Sequence, residues 1–108
     1  MPQLIIKGMK REAVINISKG LVDDLQQLIN CPREYFTLEV IHSKFVFDGE
    51  PTEGYPFVQV NWFDRGQEVQ DAVGKAITRV VQSAGYQNVD AFFVVLEEKK
   101  YYENGQHF

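Results

Sequence analysis

The chain has 108 residues, enough for one domain with a real core, since 44% are hydrophobic and 13% aromatic. Its formal net charge is −4 and no Lys/Arg cluster is denser than Lys99-Lys100, which argues against nucleic acid, whose phosphates need a basic face. The single Cys31 excludes an internal disulfide and fits a reducing cytoplasm; nothing reads as a signal peptide, and no apolar stretch approaches the roughly 20 residues that span a membrane.

The first predicted strand covers about Pro2 to Lys7. A helix follows from Lys10 to Asn30, with Val14, Ile17, Leu21, Leu25 and Leu28 recurring at steps of three and four on one apolar face. Pro32 ends it, because proline cannot continue the hydrogen-bond ladder. Phe36 to Phe47 is β-rich, and Asp48 to Gly54 reads as a loop from its Gly, Pro and acidic residues. A further strand runs from Tyr55 to Trp62. The second helix, about Gly66 to Ala84, carries Val69, Ala72, Val73, Ala76, Ile77 and Val80 inward, with Gly85 as a left-handed C-cap. Val89 to Leu96 is nearly continuous apolar sequence, the pattern of a strand covered on both faces.

The halves repeat. A shift of 54 places Pro2 on Pro56, Leu4 on Val58, Ile6 on Val60 and Arg11 on Arg65. A shift of 55 places Val14 on Val69, Leu21 on Ala76, Leu25 on Val80 and Asn30 on Gly85. The pseudo-repeat spans 1–48 and 55–98, with a tail at 99–108, all within a single domain. Each βαβ unit pairs its strands in parallel through a right-handed crossover. Two units make an α+β fold, a four-stranded sheet with both helices on one face. The other face is then left apolar: Ile5, Phe57, Gln59, Phe93 and Val95 cannot all share the side of Leu4, Val58 and Val94. An uncovered face of that kind predicts oligomerisation.

Pro2 is the chemically distinctive residue. Removal of Met1, which a small second residue permits, would turn its nitrogen from an amide into a secondary amine. A free α-amine has a pKa of about 8, and an apolar pocket or a nearby cation lowers it. The bland reading is a strand-initiating proline, which Pro56 already exemplifies in the second repeat.

Start Met-Pro, the tandem βαβ repeat and a sheet face that demands partners together resemble the tautomerase superfamily, which includes 4-oxalocrotonate tautomerase and macrophage migration inhibitory factor. The run Asn30-Cys31-Pro32-Arg33-Glu34-Tyr35-Phe36 is similar to the helix-to-strand turn of the inhibitory factor, Tyr55-Pro56-Phe57 to the start of its third strand, and the tail from Tyr101 to Phe108 to its aromatic extension. The resemblance implies a homotrimer with sites at subunit boundaries. It implies Pro2 as a base moving a proton between oxygen and carbon of a small enol or 2-hydroxydienoate-type carboxylic acid. Arg65, or Arg11 or Lys10, would hold the carboxylate, a role that suits the bidentate guanidinium. No cofactor or metal is implied. Two positions depart from the pattern: Cys31 stands where the inhibitory factor keeps a lysine, and Phe92 falls near its tyrosine acid. A non-catalytic trimeric binding protein that keeps the fold is the alternative.

Other candidates carry less. Cys31 is a lone thiol at a helix end, more simply a packing residue than a nucleophile. His42 and His107 have no third ligand at any metal spacing. Asp23 and Asp24 are adjacent on a helix and point apart, so they make no acid–base dyad. Gly49 and Gly54 lack a phosphate-loop setting. Asp64-Arg65 reads equally as a surface pair, Trp62 and Phe63 as trimer packing, and Glu97 to Lys100 as a solvated strand exit.

Overall fold

The structure is a computed structural model and describes residues 1–107. Phe108, the end of the aromatic tail, lies outside the described residues. The elements are β1 (Pro2–Lys7), α1 (Arg11–Ile29), β2 (Thr37–Ile41), β3 (Phe45–Phe47), β4 (Glu50–Thr52), β5 (Phe57–Trp62), α2 (Gln67–Ser83), β6 (Asp90–Val95), β7 (Tyr102–Glu103) and β8 (Gln106–His107). Short 3-10 turns lie at Arg33–Tyr35 and Glu98–Lys100. β1, β2, β5 and β6 form one mixed sheet in the order β2-β1-β5-β6. β1 is parallel to β2 and β5 to β6, while β1 and β5 meet antiparallel at the centre. This is the expected fold: two βαβ units, one mixed sheet, and two helices packed into a single core with it.

Period-two alternation buries one face of the central strands: Leu4 and Ile6 from β1, and Val58, Val60 and Trp62 from β5. α1 meets them with Val14, Leu21, Val22, Leu25 and Ile29, and α2 with Val73, Ala76, Ile77 and Val81. Each large side chain so buried contributes about 1.5–3 kcal/mol. The predicted α1 stripe ends differently: Leu28 is exposed, and Ile29 fills the last inward position. α1 stops at Asn30, whose backbone is left-handed (φ 60°, ψ 56°) and whose N–H donates to the Gln26 carbonyl at 2.8 Å. Its counterpart in the second repeat is Gly85, at φ 100°.

Two expectations are corrected. The predicted loop 48–54 contains β4, which pairs antiparallel with β3 across a tight turn at Asp48 and Gly49, both at positive φ. That conformation suits the twist of a two-residue hairpin, so the acidic and glycine residues close strands here instead of separating them. The hairpin carries Val46 and Phe47 on its surface. The second correction is the phase of β6. Val60 pairs with Phe93 and Trp62 with Val95, so Phe93 and Val95 belong to the helix-covered face, where the Trp62 and Phe93 rings lie 4.8 Å apart. Gln59 pairs with Phe92 and Asn61 with Val94, which puts Phe92 and Val94 on the open face, 47% and 41% exposed, beside Ile5 and Phe57. An unbroken apolar run has no alternation from which to read its phase. Within one chain β6 is an edge strand, not one covered on both faces.

Candidate functional site

Strand direction gathers the predicted residues at one end of the sheet. Pro2 opens β1. α1 runs back antiparallel to β1, so its C-terminus returns Asn30, Cys31 and Pro32 to the Pro2 end. β5 runs antiparallel to β1, so its last residue, Trp62, is the cross-strand partner of Pro2, and Arg65 follows three residues later. The tail closes on the same end: the Leu96 N–H donates to the Trp62 carbonyl at 2.7 Å, and the Phe63 and Tyr101 rings meet edge to face at 5.4 Å.

The electrostatics show how close these groups lie. The α-amine at Met1 is held below its ordinary pKa of 8.0, first by burial; Cys31 opposes the shift, Arg65 adds to it and Glu103 opposes it. The Cys31 thiol is pushed up, again first by burial, with Arg65 and the amino terminus pulling the other way and Glu34 raising it. A thiol so placed is a neutral group, not a thiolate nucleophile. Two buried donors at this end have no hydrogen-bond partner: Arg65 Nε and Trp62 Nε1. A buried donor left unpaired costs about 1–3 kcal/mol, so each would gain from donating to an oxygen within reach.

The turn bearing Cys31 is clamped from outside the site. Arg33 Nη1 donates to Asp23 Oδ1 at 2.7 Å and to Gln26 Oε1 at 3.3 Å, while Gln26 Nε2 donates to the Cys31 carbonyl at 3.3 Å. Sequence reasoning missed this clamp. Asp23 and Gln26 lie three apart on one helical face, but their partner lies beyond the end of α1. Asp64, read as a possible partner of Arg65, accepts the Gly66 N–H through Oδ1 at 2.9 Å and so shapes the start of α2.

Arg11 and Lys10 stand elsewhere. They follow β1, so within one chain they lie at its far end, roughly 17 Å from Pro2 at about 3.3 Å per residue. Arg11 is exposed there, and the Lys10 N–H donates to Tyr86 Oη at 3.2 Å. The site of one chain thus joins Pro2 and Arg65, with Cys31 beside them, and leaves Arg11 out. Among the described residues no three His, Cys, Asp or Glu side chains converge on a possible metal position. Among the described residues no helix is long and apolar enough to cross a membrane.

Comparison with known proteins agrees with this fold. A DUF1904 protein of unknown function from Sebaldella termitidis is 35% identical over all of both chains, with a TM-score of 0.94. A macrophage migration inhibitory factor-like protein from Entamoeba histolytica shares the fold at 16% identity, with 99% of this chain and 98% of that one covered and a TM-score of 0.74. A fused 4-oxalocrotonate tautomerase, solved as an asymmetric trimer, does so at 14% identity over 97% and 94%, with a TM-score of 0.84. No curated protein sequence matches. With the domain of unknown function DUF1904 matched over residues 1–107, the chain belongs to the DUF1904 family, and its fold is that of the tautomerases and the migration inhibitory factor-like proteins.

Proposed function

We propose that the protein is a tautomerase-like isomerase acting on a small enol or 2-hydroxydienoate-type carboxylic acid. Pro2, freed of Met1, is the base, and Arg65 holds the carboxylate. The observation that carries this reading is the meeting at one sheet end of the amino terminus and Arg65, whose buried Nε has no acceptor in the protein. Burial and then the guanidinium lower the Met1 α-amine at this end, and an amine at Pro2 in the same surroundings would be pushed the same way, toward the uncharged state a base requires.

The active form in this reading is a cytoplasmic homotrimer, with the apolar sheet face of Ile5, Phe57, Phe92 and Val94 covered by neighbouring subunits. Trimerisation would let Arg11 reach a site from a neighbour, which its place at the far end of β1 prevents within one chain. The experiment is turnover of a 2-hydroxydienoate by protein whose intact mass shows Met1 removed, compared with Pro2→Ala. Unchanged turnover in the variant ends the proposal.

Cys31, standing where the inhibitory factor keeps a lysine, favours a second reading, a trimeric binding protein without chemistry. It predicts carboxylate binding that depends on Arg65, with no turnover by either form.

A further inference from the structure

The face of the sheet turned away from the helices carries polar groups in its middle. Leu4 and Ile6 of β1 and Val58, Val60 and Trp62 of β5 point into the core, so Gln3, Ile5, Gln59 and Asn61 stand on the opposite face. Gln3 is the cross-strand partner of Asn61, and Gln59 lies two residues before it, which groups three amides on the two central strands. Apolar neighbours flank them: Ile5 beside Gln59 on β1, and Phe92 and Val94 beside Gln59 and Asn61 on β6.

Each of these amides is half-buried within one chain. A side-chain amide has two N–H donors and a carbonyl with two lone pairs. Among the described residues, Gln59 Nε2 donates to Asn61 Oδ1 at 2.8 Å, and Gln3 Nε2 reaches the weak Sδ acceptor of Met1 at 3.8 Å. Most of the amide capacity is left over for groups beyond the chain. An apolar partner covering this face would strip water from those groups and replace none of their bonds. A second copy would not, because an amide is its own complement, donor and acceptor in one plane. Lys7 and Glu39, which share this face with Ile5, add one charge of each sign, so two copies of the face match in charge as well.

We propose that Gln3, Gln59 and Asn61 set the number of copies in the assembly, by bonding to the same amides of neighbouring subunits at the centre of the interface. The surrounding Ile5, Phe92 and Val94 supply adhesion, but apolar contact is undirected and does not select one arrangement. A buried amide does, since only an arrangement that meets its donors and acceptors escapes the cost of leaving them unpaired. A single buried Asn chooses the oligomer state of a coiled coil in this way, at some cost in stability. The inference rests on the trimer of the proposed function, and assembly is measured without any turnover.

The test is the copy number of the full chain, by native mass spectrometry and light scattering at micromolar concentration, for the parent and two variants. Gln59→Leu combined with Asn61→Leu removes both partners of the internal bond, so it leaves no orphan of that pair in the subunit. It is expected to associate still, with the trimer falling to less than about half of the protein and other copy numbers making up the rest. Asn61→Asp keeps the acceptor of Gln59 and adds a charge. Where this position of each copy meets at the centre, like charges repel, and the concentration at which the assembly dissociates is expected to rise by about tenfold or more. A double variant that stays wholly trimeric, or an Asn61→Asp chain that holds together as firmly as the parent, overturns the inference. If the double variant does not fold, Asn61→Asp decides alone. A monomeric parent overturns the inference together with the trimer, whereas a trimeric parent without turnover removes only the chemistry at Pro2 and leaves the amides in their role.

Discussion

The Pro2 and Pro56 ends of the sheet are copies of one arrangement put to different uses. At the first, Pro2 faces Trp62, and the neighbouring groups are a thiol, a guanidinium and an amine. At the second, Pro56 lies beside Gly8, Tyr55 fills the place of Met1, and Tyr86 accepts the Lys10 N–H. Polar groups at the Pro56 end are therefore spent on the protein, while Arg65 Nε and Trp62 Nε1 at the Pro2 end are not. A buried polar group without a partner lowers stability. In the proposed reading the same local fold serves stability at one end and binding at the other.

Matched substitutions test that division. Pro2→Ala, in chain lacking Met1, is expected to lower turnover by about 10²–10⁴-fold, equivalent to about 3–5 kcal/mol of transition-state stabilisation. Pro56→Ala is expected to leave turnover within about twofold, since its nitrogen is an amide in every form of the chain. Steady-state kinetics on both variants check the pair, and equal losses would erase the distinction between the ends.

Gly8→Ala strikes the other end. Its φ of 83° disfavours any side chain, and the new Cβ meets the rigid Tyr55 carbonyl. Backbone strain and clash together predict a loss of about 2–4 kcal/mol in urea unfolding. Arg65→Leu, at the Pro2 end, removes a buried donor that has no partner, so stability should change by less than about 1 kcal/mol while turnover of the 2-hydroxydienoate is lost. A Gly8→Ala protein as stable as the parent, or an Arg65→Leu protein that unfolds readily, would reverse the assignment of roles.

These differences could be read only in part from the residues. The helices and central strands were legible because their apolar positions recur with clear periods, and the repeat set their order. β6 was not, because Ala91 to Leu96 is apolar throughout and either phase satisfies it. The β3–β4 hairpin was hidden because Asp48-Gly49 signals a turn without saying whether strands flank it, and Pro51 argues against a strand that the hairpin nonetheless contains. In the site, Pro2 and Arg65 come together through strand direction alone. The clamp on the Cys31 turn depends on Arg33 reaching back over the end of α1 to Asp23, a contact that no local spacing encodes.

Each end also has one titrating clamp, and the two respond to opposite extremes of pH. At the Pro2 end, hydrogen bonds from Arg33 and then Lys19 hold Asp23 below its ordinary 3.8. A depressed carboxyl contributes stability that is present above 3.8 and lost as pH falls through the lower folded value. At the Pro56 end, the Tyr55 hydroxyl donates to Asp90 Oδ2 at 2.9 Å, and that bond, followed by burial, raises Tyr55 above 10.0. A raised phenol contributes stability that is complete below 10.0 and lost as pH climbs through the higher folded value. Both groups lie at the surface, so the effects are small, and their direction carries the test. Asp23→Asn should flatten the stability profile below about pH 4 and leave the alkaline limb alone, while Tyr55→Phe should flatten only the limb above about pH 10. Urea midpoints across pH measure both. If either variant flattened the opposite limb, the two clamps could not be acting at separate ends of the sheet.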